Sequence, residues 1–339
     1  MARIALDAMG GDFAPRATVA GALLALAELD PVHSIQLVGR SAVVESQLRE
    51  LLDGEFAALV PQRHRISIVE APDVVEMTDK PSAAVRGKPN SSMAVGLRLQ
   101  TEGHADAFVS AGNTGAQMAS SMVQLRLHAG LKRPAIVTLF PSARRPIAVL
   151  DSGANMDCSP EELVQFARLG VSYAQCVLGR ENPAVGLLSI GEEPEKGNIA
   201  TKETHQLLLQ SGLNFIGNVE GRDLPAGGTE HHDLDVVVCD GFVGNVLLKF
   251  YEAIAPLMIE TLRNAGVDGA QLEAGLKHLD YSEHGGAPLL GVRGVSVIAH
   301  GKSSPRAIKN ALKAAAQAVT SGMNEMIGQR LGAVAESAA

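Results

Sequence analysis

Along the chain, short apolar runs rich in β-branched residues alternate with longer segments whose apolar residues recur at helical spacing. Runs 3–6, 34–38, 65–69, 107–110, 136–139, 147–150, 185–190, 214–216 and 235–239 predict buried strands. Segments 16–29, 42–52, 91–101, 115–127, 161–177 and 201–209 between them predict helices. Parallel strands need crossover connections, so the alternation predicts an α/β fold with a largely parallel sheet in a three-layer α/β/α arrangement. Ser159, Pro160 and Glu162 form a capping-box pattern with Pro at the first helical position, and Ser304-Pro305 opens a terminal helix expected to end near Gln329. No internal repeat or Pro/Ser-rich linker interrupts the pattern. It predicts a single domain over residues 1–330, with room for a small subdomain, and a flexible tail over 331–339.

Composition narrows the class. The 339 residues are 46% hydrophobic and 19% charged, which excludes a disordered or fibrous chain. A formal net charge of −8 gives no basic footprint for nucleic acid, so an anionic substrate would need a local site. Three cysteines lie far apart without CxxC spacing, which argues against a disulfide framework or a zinc site and fits a reducing cytoplasm. The start of the chain reads as a strand entering a Gly-rich turn, and the uncharged stretch 107–125 is too polar to span a membrane.

Candidate chemistry sits in loops of Gly, Asp and Asn that close predicted strands and open helices. In parallel sheets such loops gather at the carboxyl edge with helix N-termini, where backbone N–H donors suit an anion. Asp7, Gly10, Gly11 and Asp12 form the first loop, whose two carboxylates could bind Mg²⁺, orient donors or cap the next helix. Gly112, Asn113, Thr114 and Gly115 form the second, with room for a phosphate and side-chain donors at a helix start. Residues 151–157, containing Asn155, and 240–245, containing Asp240, Gly244 and Asn245, close two further strands. In residues 191–198, Lys196 is the single cation beside three glutamates: a solvated charge run, or an oxyanion ligand. Asn245 could donate its amide to a developing negative oxygen or cap its helix. His231 and His232 read as solvated loop residues, and Cys239 as core.

In order, IALDAMGGD, SAGNTGA, the RPA at Arg133, LDSGANMD, GLLSIGEEPEKGN, FIGNVEGRD, DVVVCDGFVGNVLLK and GGAPLLGVRG followed by HG span about Ile4 to Gly301. Together they resemble the phosphate acyltransferases of the PlsX type. The resemblance implies transfer of a fatty acyl group from acyl carrier protein to inorganic phosphate, giving acyl phosphate for phospholipid synthesis. It implies a fold similar to isocitrate and isopropylmalate dehydrogenases and phosphate acetyltransferases, a homodimer, and no metal or organic cofactor. Lys196 and Asn245 then stand at the catalytic positions. Asp7, Gly10, Gly11, Asp12, Gly112, Asn113, Thr114, Gly115, Asn155, Asp240 and Gly244 stand where phosphate and acyl donor bind. Gln117, Ser152 and Ser189 depart from the family's usual residues. Family members also dock on membranes through an apolar helical hairpin. Residues 260–283 here are short, acidic and interrupted by Gly266, Gly269 and Gly275, so the expectation is weak peripheral association at most. An acidic carrier protein would need a basic patch, for which Lys132, Arg133, Arg144 and Arg145 are candidates by charge.

Two other classes compete. A metal- and NAD-dependent hydroxy-acid dehydrogenase of similar fold could use the scattered aspartates, but no dinucleotide fingerprint is present. A non-enzymatic lipid-synthesis scaffold would bind carrier and membrane without turnover.

Overall fold

The computed structural model describes residues 1–269 and 285–337. In chain order the first segment holds β1 (Arg3–Asp7), α1 (Arg16–Glu28), β2 (Ser34–Gly39), α2 (Ser41–Asp53), β3 (Ile66–Glu70), α3 (Pro81–Gly87), α4 (Ser92–Thr101), β4 (Ala107–Ser110) and α5 (Thr114–Gln124). There follow β5 (Ala135–Ile136), β6 (Thr138–Phe140), β7 (Ile147–Leu150), α6 (Pro160–Cys176), β8 (Val185–Leu188) and α7 (Ile199–Leu209). Next come β9 (Phe215–Val219), α8 (Asp223–Ala226), β10 (Val236–Val238) and α9 (Gly241–Asn264). The chain returns through β11 (Ala287–Leu290), β12 (Val295–Ile298) and helices Pro305–Thr320 and Met323–Ser337. It divides into two compact units: Met1–Ala129 with His284–Ala339, and Gly130–Glu283.

In the first unit the strands run β3-β2-β1-β4-β12-β11. Every pair is parallel except β11 with β12. Ile4, Leu6, Leu37 and Phe108 are fully buried on these strands, each contributing roughly 1.5–3 kcal/mol by leaving water. α4 packs on β1, β2 and β4, and Gly96 makes that possible, since a Cβ there would fall on the Phe108 ring.

In the second unit the order is β6-β7-β10-β8-β9, with only the β6–β7 hairpin antiparallel. Phe140, Ile147, Val149, Val219, Leu234 and Val237 form its core, joined by Leu248 and Tyr251 from α9. Phe140 and Tyr251 meet edge to face at 4.9 Å between ring centroids.

The largely parallel α/β reading holds, and the nine predicted strands coincide in position with β1 to β10. Several details differ. Run 136–139 is two strands, because the Ile136 backbone turns away to bond Asp151 and Ser152. β11 and β12 were not predicted: Pro288 and the flanking glycines hide the first, and four residues are too few to show a period in the second. The predicted terminal helix breaks at Gly322, which takes φ +65°, and its second half runs on to Ser337. α9, on which no length was predicted, runs for 24 residues. It is the one helix among the described residues long and apolar enough to cross a membrane by length and composition, and only 6% of its most apolar stretch is buried. The exposed large apolar residues of α9, from Phe242 to Met258, precede Glu260. Most of the 260–283 stretch on which weak association was predicted, including Gly275, lies outside the described residues.

Candidate functional site

Because β1, β4 and β12 are parallel neighbours, the loops after them leave one sheet edge of the first unit. Asp7, 3% exposed, ends β1 and gathers donors. Ser110 Oγ donates to its Oδ2 at 2.8 Å and Met9 N to its Oδ1 at 3.1 Å, with Ser92 and Gly10 N adding two more. Burial pushes its carboxyl above the ordinary value against the pull of all four donors. Gly112 N in turn donates to Ser110 Oγ at 3.0 Å, so the first and second loops are one knot. Gly10 has no alternative there, because a Cβ would lie 2.6 Å from Asp7 Oδ2 and 2.9 Å from Gly112 N. Gly11 takes φ +106°, and Asp12 N reaches the Gly301 carbonyl at 2.8 Å, tying in the loop after β12.

These contacts correct the sequence reading of the unit. Neither aspartate caps α1, whose N-cap is Pro15 without a side-chain bond. Asp7 faces inward, and Asp12 is exposed. Asn113 does not present free donors. Its Oδ1 accepts from Ala116 N at 3.0 Å as the cap of α5, and its Nδ2 donates to the carbonyls of Met77 at 3.1 Å and Asp79 at 2.9 Å. Gly115 lies under the same segment, where a Cβ would be 2.7 Å from Pro81 Cγ. Thr114 is exposed. Of the departures, Gln117 is buried and donates to Ser296 Oγ and the Val297 carbonyl.

The second unit has its own edge. β7, β10, β8 and β9 are parallel, so loops 151–157, 240–245 and 189–198 leave the same side. Asp151 is fully buried and organises the first of them. Its Oδ1 accepts from Ile136 N at 2.9 Å and Ala154 N at 3.2 Å, and its Oδ2 from Asn155 N at 2.6 Å and Asn155 Nδ2 at 2.9 Å. Burial pushes this carboxyl up despite those bonds. Asn155 Nδ2 also bonds the Pro134 carbonyl at 2.8 Å, so its amide holds the loop. Ser152 Oγ bonds the Val149 carbonyl.

α9 starts against this loop. Asp240 is its N-cap, accepting from Val243 N at 2.8 Å, which corrects the reading of Asn245 as the cap. Gly241 N donates to the Asn155 carbonyl at 2.7 Å, and a Cβ on Gly244 would fall on the Asp151 carbonyl oxygen. Glycine at both positions lets the helix N-terminus press onto the loop. Asn245 then lies in the second turn, half-buried, with its side chain over Gly153: a Cβ there would be 3.5 Å from Asn245 Oδ1. Among the described residues its amide has no hydrogen-bond partner.

Lys196 sits on the loop after β8, the strand next to β10. A turn closed by Lys196 N to the Glu193 carbonyl at 3.0 Å carries it, and its stem lies across Gly191, where a Cβ would be 2.9 Å from Lys196 Cγ. No carboxylate among the described residues pairs with its ammonium. Glu192 is taken by Arg222 at 3.5 Å. Residues 192–196 are all exposed, as the solvated charge-run reading expects, and the oxyanion-ligand reading draws on the same unpaired cation. Ser189, beneath this loop, has a buried hydroxyl without a partner among the described residues.

The four candidate cations for carrier docking do not form one patch. Lys132 and Arg133 pair with Glu161 and Glu162 at the start of α6, beyond the carboxyl end of β7. Arg144 and Arg145 lie in the β6–β7 hairpin at the opposite edge, paired with Asp233 and Asp235. His231 and His232 are exposed, and no group of three or more His, Cys, Asp or Glu among the described residues is arranged to hold a metal. Sequence reasoning passed over Ser92, Ser110 and Gly153, whose roles depend on contacts across strands. The signal available for them was their position at a strand end or a helix cap.

The fold and its two loop edges define an α/β protein built on largely parallel sheets. A phosphotransacetylase from Streptococcus pyogenes superposes with a TM-score of 0.63 at 16% identity over 94% of each chain. The EutD phosphotransacetylase of Staphylococcus aureus gives 0.60 at 14% identity over the same shares. The chain belongs to the fatty acid synthesis protein family, whose model matches residues 2–326. A phosphate acyltransferase of Desulforamulus reducens is 48% identical over 98% of each chain, and one from Heliobacterium modesticaldum is 47% identical over 94% of each.

Proposed function

We propose that this enzyme is a phosphate acyltransferase that moves a fatty acyl group from acyl carrier protein to inorganic phosphate. The observation that carries the proposal is the placement of Lys196 and Asn245 after adjacent parallel strands at one edge, the lysine without a carboxylate partner. The family membership and the phosphate acyltransferase relatives support it.

Phosphate is already an anionic nucleophile at neutral pH, so it needs orientation more than a base. A phosphate oxygen attacks the thioester carbonyl, a C–O bond forms, and the carbonyl electrons move onto oxygen. Lys196 Nζ and Asn245 Nδ2 stabilise the anionic oxygens as charge develops. Collapse breaks the C–S bond, and the carrier thiolate leaves and takes a proton from water. The product is acyl phosphate, which we assign to phospholipid synthesis. Asp240 and Gly244 place Asn245, and Asn155 shapes the loop beneath it. Gly10, Gly11, Asp12, Gly112, Thr114 and Gly115, with Asp7 and Asn113 fixing their backbone, contribute substrate contacts at the edge of the first unit.

The wider assignment is a cytoplasmic homodimer with an isocitrate/isopropylmalate dehydrogenase-like architecture and peripheral membrane association. The parallel sheets support its architecture, and the exposed apolar residues of α9, Phe242, Val246, Phe250 and Leu257, support the association. Mixing the purified protein with acyl carrier thioester and phosphate should release free thiol, and omitting phosphate should abolish the signal. Loss of one oxyanion donor costs roughly 2.7–4 kcal/mol, so Lys196→Ala and Asn245→Ala should each lower turnover about a hundredfold or more with unchanged unfolding midpoints. Near-normal turnover in both variants rejects the assignment, and an absorbance change at the nicotinamide wavelength with hydroxy acids would replace it with a dehydrogenase.

A further inference from the structure

Asn218 lies on β9, 3% exposed, and the chemistry above does not use it. Its Nδ2 donates to the Glu193 carbonyl oxygen at 2.9 Å, the same oxygen that accepts Lys196 N at 3.0 Å. That carbonyl has two lone pairs, and both are engaged. With Nδ2 committed as donor, Asn218 Oδ1 faces Nδ1 of the buried His205 at 2.9 Å, so this ring nitrogen carries the proton. The His205 ring is held edge-on by Phe215, 5.1 Å between centroids at 76°. His205 belongs to α7, whose N-cap Asn198 follows Lys196 by two residues and accepts from Thr201 N at 2.8 Å. The loop is thus anchored at its ends by β8 and α7, and at its middle by one amide.

We propose that Asn218, oriented by His205, is a positioning residue that clamps the Glu193–Lys196 turn and so sets where the Lys196 ammonium rests. The inference rests on the reading of Lys196 as the cation that serves acyl transfer. A mobile exposed loop would otherwise lose backbone entropy each time it places the lysine, and holding the turn from a buried strand lowers that cost.

Asn218→Asp tests it, because one carboxylate oxygen still accepts from His205 while the other replaces a donor with an acceptor against the Glu193 carbonyl. The expected result is a fall in kcat of about tenfold or more with the acyl-donor KM within about twofold, and about tenfold faster hydrogen exchange at the Lys196 amide. In a Lys196→Ala background the same substitution should leave the residual rate unchanged, which a merely structural defect would not. His205→Gln, whose amide can replace the ring N–H, should retain more than half the activity, and His205→Leu should behave like Asn218→Asp. Wild-type kcat together with wild-type exchange in Asn218→Asp overturns the proposal, as does an equal loss of rate in the Lys196→Ala background. Normal turnover of Lys196→Ala defeats the reading of the lysine by itself, while exchange at its amide still decides whether the clamp exists.

Discussion

Asn113 serves two elements at once, capping α5 with its oxygen and holding the carbonyls of Met77 and Asp79 with its nitrogen. A lost cap costs about 1 kcal/mol, and abandoned carbonyl bonds about 1 kcal/mol each. Asn113→Ala should therefore lose about 2–3 kcal/mol in urea unfolding, and Asn113→Ser, which keeps a capping oxygen, about half of that. Cleavage between residues 76 and 88 in limited proteolysis should accelerate in both. The helix start was legible in the sequence, because Asn before Thr-Gly-Ala is a cap pattern. The carbonyls were not, because they belong to residues 34 and 36 positions upstream, and no local rule links a cap to a distant turn. The same holds for Asp7 and Asp151. Sequence marks them as polar residues at strand ends, whereas their inward direction depends on donors from neighbouring strands.

Pairs of elements hold together by means that vary in legibility. α1 packs on helix Pro305–Thr320, and Gly21 permits the approach, since its Cβ would meet Ile308. Glu28 at the end of α1 bridges Lys309 at 2.7 Å and Lys313 at 2.6 Å, spaced one turn apart. Their hydrogen bonds hold the Glu28 carboxyl down at about 2. Its folded value is depressed, so the contribution is complete above the ordinary glutamate range near 4.5 and disappears as pH falls toward 2. Because Glu28 and Lys313 are both more than two-fifths exposed, solvent screening limits the value to about 1 kcal/mol at most. Glu28→Gln should lower stability by that amount at pH 7, with the difference vanishing at pH 2 and shrinking in 1 M salt. Strands with uninterrupted apolar runs were readable from the sequence, as were helices with complete caps such as Ser159–Glu162. β11 and β12 escaped because a proline inside the one and the short length of both erase the period on which such reading depends.

At the level of the whole molecule, the thiols bear on whether acyl transfer is direct. Burial, reinforced by Asp151 and Asp240, pushes Cys158 up to about 12 and Cys239 well above its ordinary value. Neither supplies appreciable thiolate at neutral pH. The intact mass of the full chain, measured after incubation with acyl thioester and no phosphate, should therefore be unchanged; a stable adduct of one acyl group would show a covalent route. The first unit is assembled from both ends of the chain, with β12 from the late segment seated beside β4 from the early one, Val295 opposite Ala107. On the ribosome, the exposed hydrogen-bonding edge of β4 must wait for nearly two hundred further residues to be translated before its neighbour exists, as the pairing Ile298 with Ser110 requires. A nascent chain stalled before Val295 would carry that open edge, so premature termination late in the message exposes a template for aggregation rather than leaving a nearly finished protein.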